Sequence, residues 1–544
     1  MDMKIRTLFL LVFTCLISIH LFSQNQVSEI WAGDLGNGYY KNPILYADYS
    51  DPDVCRVGDD YYMVSSSFNC VPGLPVLHSN DLVNWTFVGH AIGTLEPDSV
   101  FSKVVHGGGV WAPAIRYHQG EFYIYYGDPD NGIYKVKTKN PAGDWDPPVL
   151  VKKTRGVIDT CPLFDEDGQA YLVHGYAGSR AGIKSLLAVT RLDSNGGKTV
   201  GESKIIYDGH DADPTLEGPK FYKRNGYYYI FAPAGGVKDG WQLALRSKNV
   251  FGPYERKMIL AQGKSTVNGP HQGAWIDTEN GEDWFIHFQD VGPLGRVVHL
   301  QPLVWEDDWP VIGEDSDGDG CGDPVLVHKK PNVGAVYPVE TPVESDEFNL
   351  NTLGLQWQWH ANPLSWWCFA NQIKGCLSLY SVPLPKNHKN LWDVPNLLLQ
   401  KMAAPDFKAT TKLELKPDPR FVGERAGLLV MGLDYALLSF ENKGNGFVIS
   451  QIQSLEAYKG NPEVVNQSVE VQQSLVYFRI EVKGGATCVF SYSLDNKRFF
   501  ALGKQFNLKE GQWIGAKMGL FCSRPIAGND GGRVDVDWFR VENL

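Results

Sequence analysis

The sequence predicts an all-β protein in two parts, a five-bladed β-propeller followed by a β-sandwich. Three observations predict it. At 544 residues the chain is too long for one ordinary core. Its 57 Gly, 32 Pro, 16 Trp, 25 Tyr and 26 Phe favour short strands and tight turns over helical bundles. One hairpin unit recurs five times in the first half, and a second stretch of short alternating strands follows it. Hydrophobic residues at 43% and charged residues at 21% are ordinary for a packed chain. Lys and Arg number 50 against 62 Asp and Glu, a formal charge of −12 that repels phosphate backbones and argues against nucleic acid as a partner.

The first 23 residues differ from the rest. Lys4 and Arg6 precede an apolar run from residue 8 to residue 22, and Ser23 closes it before the polar Gln24. That run is shorter than the roughly 20 residues of a bilayer span, so residues 1–23 read as a secretory signal peptide and the mature chain as exported, to the periplasm or beyond. Phe13 and Thr14 make a poor lipidation site of Cys15. No later stretch reads as a transmembrane segment. The other eight cysteines stand without CxxC spacing, which argues against zinc and against a disulfide-dense scaffold. One or two bridges, or buried free thiols, both fit.

Residues 35–325 carry the repeat. Each copy holds a polar or aromatic residue in a Pro- or Gly-containing segment, then a short strand, a tight turn, and a strand dense in Tyr, Phe or Trp. The turns fall at Asp59, Gly120, Gly168, Gly226 and Gly281, and each step is long enough for one four-stranded sheet. Measured back from its turn, each copy places one residue 8 to 10 positions upstream, Asp51, Trp111, Asp159, Glu217 and His271, which makes them one structural position repeated around the ring. Equivalent positions on innermost strands converge on the channel of a propeller, so three carboxylates, an indole and an imidazole are expected to line one funnel. An isolated Asp beside Pro or Gly is usually a turn residue. Three in register are another matter, because packed like charges are destabilising and a structural repeat has no need of them.

Two carboxyl groups across a sugar-sized gap are the minimum for hydrolysing a glycosidic bond, one giving a proton to the departing oxygen and the other activating water or attacking directly. Glu217 suits the acid, because neighbouring negative charge raises a carboxyl pKa. Asp51 suits the base, and Asp159 the group that orients Glu217 and lifts its pKa. A Ca²⁺ site, which draws several oxygens from one short loop, fits three distant blades poorly. Asp315-Ser316-Asp317-Gly318-Asp319-Gly320 does copy the opening of a calcium loop, but its twelfth position is Leu326, and it reads as a polar loop.

Tyr49-Ser50-Asp51-Pro52-Asp53-Val54, Ile158-Asp159-Thr160-Cys161-Pro162 and Leu216-Glu217-Gly218-Pro219 resemble the three catalytic segments of glycoside hydrolase family 43. Trp111-Ala112-Pro113 and Leu294-Gly295-Arg296 are similar to two further segments of that family. The resemblance implies a five-bladed propeller, inversion of anomeric configuration, and Asp51 as base, Glu217 as acid and Asp159 as pKa modulator. It implies an exo-acting enzyme removing β-D-xylosyl or α-L-arabinofuranosyl residues from oligosaccharides of plant hemicellulose or pectin, with no cofactor required for the chemistry. Trp111 would offer an apolar face to a sugar ring, or pack between blades. Arg296 resembles the family's substrate-contacting arginine; an ordinary ion pair is its alternative. Phe68 lies in a loop that in relatives borders the leaving group, but Cys70 stands where an aromatic often follows. His271 resembles a channel histidine that in many members ligates or adjoins a central metal or water, so Ca²⁺ there and a satisfied histidine are both compatible. Two rival functions are a non-catalytic carbohydrate-binding propeller, which predicts loss of a carboxylate, and an invertase-like retaining fructosidase, whose Arg-Asp-Pro segment this chain lacks.

Residues 326–345, with Pro331, Pro338 and Pro342, read as a connector over a surface. Residues 346–544 alternate again, as in 409–415, 478–482 and 534–539, and fit a β-sandwich that resembles the concanavalin-like jelly roll attached to β-xylosidase-type members. Trp357, Trp359, Trp366 and Trp367 could form a sugar platform, with core and interface packing the expectation.

Overall fold

Five hairpins seed five sheets. The structure, a computed structural model, describes residues 27–544; the expected signal peptide lies outside the described residues. Four-stranded antiparallel sheets, each in simple chain order, span residues 53–92, 111–153, 157–208, 220–260 and 271–312. These are blades one to five. The first hairpin of each falls at its expected turn. In blades two and four the loop is two residues long, Gln119-Gly120 and Asn225-Gly226, and all four have positive φ, the backbone that matches strand twist in a tight hairpin.

Five buried apolar clusters glue the blades in pairs. Val64 and Val76 pack with Ile115 and Ile124 between blades one and two, and Ile133 with Leu172 between two and three. Val173 packs with Phe221 between three and four, and Phe231 with Phe285 between four and five. Val54 and Met63 against Ala274 and Ile286 close the ring. Among the described residues no strand is exchanged between the last blade and the first, and closure rests on this side-chain burial together with backbone bonds from the segment before blade one to blade five, Val298 to Leu45 and Tyr49 to Arg296, both at 3.0 Å.

The connector is more structured than expected. Val327–Lys329 pairs antiparallel with Tyr39–Lys41, and Thr341 Oγ1 accepts from the Ser28 amide at 2.7 Å, so both ends of the propeller segment are tied down together. Beyond it, two eight-stranded sheets face each other across one apolar core that includes Leu413, Leu428, Phe478, Ile480 and Leu520. Trp357, Trp359 and Trp367 are buried there as expected; Trp366, at 46% exposure, is not. Among the described residues the eight cysteines are all free thiols.

Candidate active site

The residues singled out by register meet at one mouth of the channel, and the backbone is bent to present them. In blade three the pairing jumps from Ile158↔Gly175 to Cys161↔Val173, which leaves one extra residue at Asp159-Thr160. The same bulge interrupts blade two between Trp111 and Ala114, and blade five between His271 and Gly273. Bulges re-aim side chains. Asp51, Asp159, Ala112 and Gln272 have φ of 56°, 57°, 34° and 36°, in the left-handed region that costs non-glycine residues about 1–3 kcal/mol each. Blade four uses Gly218 at 57°, where an added Cβ would meet the Gln272 side chain at 2.6–2.9 Å. Strain repeated at one level of the ring is spent on orienting that level.

The three carboxyl groups have different surroundings. Asp51 is buried and only accepts: Ser66 Oγ donates to its Oδ2 at 2.5 Å and Arg296 Nη1 to its Oδ1 at 3.1 Å. Ser66 is itself fixed by the Ala112 amide at 2.7 Å. Asp159 is also buried, and its Oδ2 accepts the Gly218 amide at 2.8 Å, which ties it to the segment that carries Glu217. Its carboxyl is pushed up to about 8, by burial first and then by the negative charges of Glu217 and Asp51, against the Gly218 amide and Lys220. The upward push thus falls on the group expected to act as modulator. Glu217 is the open member, with 30% of its side chain exposed and its Oε1 3.1 Å from His271 Nε2.

Arg296 is almost buried, its guanidinium 4.8 Å above the Phe288 ring. Burial opposes its charge, but Asp51, Asp48, Asp290 and Glu217 hold it above its ordinary range. It is therefore an ion-pair partner inside the site, which joins the two readings of this residue. Trp111 is half-buried, its indole donating to Gly107 O at 2.8 Å, with the Arg180 guanidinium 5.5 Å from its ring. Phe68 is buried and meets Trp111 edge-on at 6.2 Å, a wall behind the indole. Cys70 lies 3.0 Å from Lys517 Nζ and belongs to the domain contact. The His271 ring has one nitrogen toward Glu217 and the other, Nδ1, buried without a hydrogen-bond partner among the described residues. Among the described residues no cluster of three ligating side chains gathers there, and an acid–imidazole pair does not make the six to eight oxygens of a calcium cage.

Sequence reasoning missed three contributors. Ser66 holds Asp51. Asp48 accepts the Arg296 amide at 3.0 Å and, from the sandwich, the Gly515 amide at 3.0 Å. Trp513 of the sandwich, 48% exposed, stands edge-on to Trp111 at 6.1 Å, above Gly107, where an added Cβ would strike it at 2.8 Å. The accessory domain therefore reaches the rim of the pocket.

Residues 40–310 match the family model for glycosyl hydrolases family 43, and residues 345–542 match that of the β-xylosidase C-terminal concanavalin A-like domain. A putative β-xylosidase of Xylanibacter ruminicola is 38% identical over 494 residues, 90% of this chain and 88% of the relative. This chain belongs to glycoside hydrolase family 43. Another member, the non-reducing end α-L-arabinofuranosidase BoGH43B of Bacteroides ovatus, is 32% identical over 428 residues, 74% of this chain and 76% of the relative. The solved xylan β-1,4-xylosidase of Bacillus halodurans C-125 superposes with a TM-score of 0.81 at 25% identity, covering 92% of this chain and all of the other. As a family 43 glycoside hydrolase the protein acts on a glycan, and hydrolysis by paired carboxyl groups needs no cofactor.

Proposed function

We propose that the protein is an exported, inverting exo-glycosidase that removes terminal β-D-xylosyl or α-L-arabinofuranosyl residues from oligosaccharides of plant hemicellulose or pectin. One observation carries the assignment of roles: three carboxyl groups from three blades share one mouth, yet only Glu217 is open, Asp51 is held by two donors, and Asp159 is buried behind the segment of Glu217. An open carboxyl beside an imidazole suits the acid that must touch the leaving oxygen. A carboxylate that only accepts hydrogen bonds suits the base that takes a proton from water. Asp159, buried behind that segment and tied to it through the Gly218 amide at 2.8 Å, suits the group that holds the acid in place. Trp111 and Trp513 supply apolar faces for the pentose, and Arg296 a planar donor for its hydroxyls. The pentose reading draws support from the names of the relatives, and export from the composition of residues 1–23. Product analysis on nitrophenyl xyloside, nitrophenyl arabinofuranoside and natural oligosaccharides tests the substrate. Proton NMR of fresh product should show the inverted anomer; a retained anomer would make Asp51 a nucleophile and overturn the assignment.

A further inference from the structure

The innermost strands all run away from the catalytic mouth. Four or five residues beyond Asp51, Trp111, Glu217 and His271 they deliver Cys55, Arg116, Tyr222 and Trp275 to the opposite face, about 15 Å away at the strand rise of ~3.3 Å per residue. Between the two faces the channel is filled. Asp53 Oδ2 accepts Arg116 Nη1 at 2.7 Å, and Lys220 Nζ lies 3.9 Å from Asp53 Oδ1, with Asp53 and Lys220 both buried.

At the far mouth a cavity of about 270 Å³ is lined by Arg56, Arg116, Tyr117, Tyr222, Trp275 and Asp277, drawn from blades one, two, four and five. Its charges are already paired. Arg56 Nη2 lies 2.6 Å from Asp277 Oδ2, and Arg116 is held by Asp53, so nothing in the lining calls for a charged ligand. Its ring edges are satisfied too. The Trp275 indole donates to Asp283 at 2.6 Å, and the Tyr222 hydroxyl accepts the Trp275 amide at 3.1 Å. The two rings meet edge-on at 5.2 Å, with the Arg116 guanidinium 5.1 Å from the Tyr222 ring, while Tyr117 is 43% exposed at the rim. Aromatic surface beside paired planar charges matches a neutral polyhydroxyl ring, whose apolar C–H face packs on the rings while its hydroxyls bond the charged groups. The volume lies just below the range for drug-sized ligands and suits one or two sugar rings.

We propose that this mouth is a second, non-catalytic site for a neutral pentose oligosaccharide, which would hold polymer near the enzyme and raise its effective concentration at the active site. The choice of pentose rests on the activity proposed above. The test is titration of full-length Glu217→Gln protein with xylotetraose by calorimetry, alone and combined with Tyr117→Ala or Arg56→Gln. Two sites are expected in Glu217→Gln, and one once Tyr117 or Arg56 is changed. In the otherwise native enzyme, Tyr117→Ala should leave nitrophenyl xyloside hydrolysis unchanged and weaken retention on arabinoxylan in affinity electrophoresis about three- to tenfold. A single site in Glu217→Gln, or two sites that survive both substitutions, overturns the proposal. The two readings fail separately: native enzyme that cleaves xylotetraose but binds at one site keeps the activity and loses the second site. Tyr117-dependent binding without pentoside hydrolysis does the reverse.

Discussion

Two regions of the molecule hold three carboxyl groups within a small space, and they behave in opposite ways. Asp315, Asp317 and Asp319 come from five consecutive residues of a surface loop, with one oxygen of each within 4.8 Å of the others. Asp315 accepts the Gly318 and Gly320 amides at 2.7 and 2.8 Å, and Asp319 the Cys321 amide at 2.7 Å. The Gly320 amide foremost holds the Asp315 carboxyl below its ordinary range. Asp51, Asp159 and Glu217 come from three blades, and Asp159 is pushed up to about 8 because burial outweighs its single amide. Acidic residues packed by a local turn are neutralised by that turn. Acidic residues packed by topology must share a proton or a cation, and that stored electrostatic tension is what general acid catalysis uses.

The sharpest way to break the comparison is to remove one carboxyl from each region. Glu217→Gln should lower turnover of natural glycosides by about two to four orders of magnitude, with a smaller loss on activated leaving groups that need no proton. Asp51→Asn should retain ligand while turnover collapses, and azide should rescue Asp51→Ala with a glycosyl azide of inverted configuration. Asp317→Asn should leave turnover unchanged. Equal losses of Glu217→Gln on poor and activated leaving groups would indicate a folding defect or another role.

The second test uses the raised carboxyl of Asp159. Its folded pKa of about 8 lies above the ordinary 3.9 of an unfolded chain, so it contributes stability that is fully present below about pH 4 and is lost as pH rises toward 8. Native enzyme should therefore lose melting temperature between pH 5 and pH 9 more steeply than Asp159→Asn. The substitution also removes the carboxyl whose titration is coupled to that of Glu217, so the upper apparent pKa of the pair is lost and the alkaline limb of the pH–rate profile should move to lower pH. An unmoved limb with equal melting curves would take Asp159 out of the catalytic set.

These differences explain what could be read from the chain. The hairpins were legible because Asn225-Gly226 and Gln119-Gly120 encode their turns locally, and register counted from the turns brought Asp51, Asp159 and Glu217 to one level without any long-range information. Ser66, Asp48 and Trp513 were not legible. Each acts through a partner far along the chain, Trp513 on Trp111 and the Gly515 amide on Asp48, and no spacing rule records how a sandwich docks on a propeller. A hint existed in Gly107 and Gly295, whose missing side chains leave room for Trp513 and the Gly515 amide, but glycine is too common here to single them out.

The docked rim gives the third test. Trp513→Ala removes an aromatic face and its edge contact with Trp111, so kcat/KM on oligosaccharides should fall about three- to tenfold, mostly through KM. Trp366→Ala, also in the sandwich and 46% exposed, should change nothing. Equal effects of the two would show that the sandwich acts through stability alone.

The smallest expected effects lie in the loop, and their order is the informative part. If the three acids there serve only their own turn, the melting temperature should follow the hydrogen bonds that each accepts. Asp315→Ala gives up two short ones, Asp319→Ala one at 2.7 Å, and Asp317→Ala one at 3.4 Å to the Asp319 amide. Differential scanning calorimetry should then rank the losses in that order, each small as befits a surface position, with kcat untouched in all three. A calcium loop would give a different pattern. All three substitutions would cost alike, the native protein would lose the same stability on adding EDTA, and added calcium would restore it, because a cation bound only to the folded state stabilises it by mass action. Ranked losses indifferent to EDTA keep the two acidic regions apart. Equal losses mimicked by EDTA would make the loop a metal site, and local turns would no longer explain how its carboxylates are neutralised.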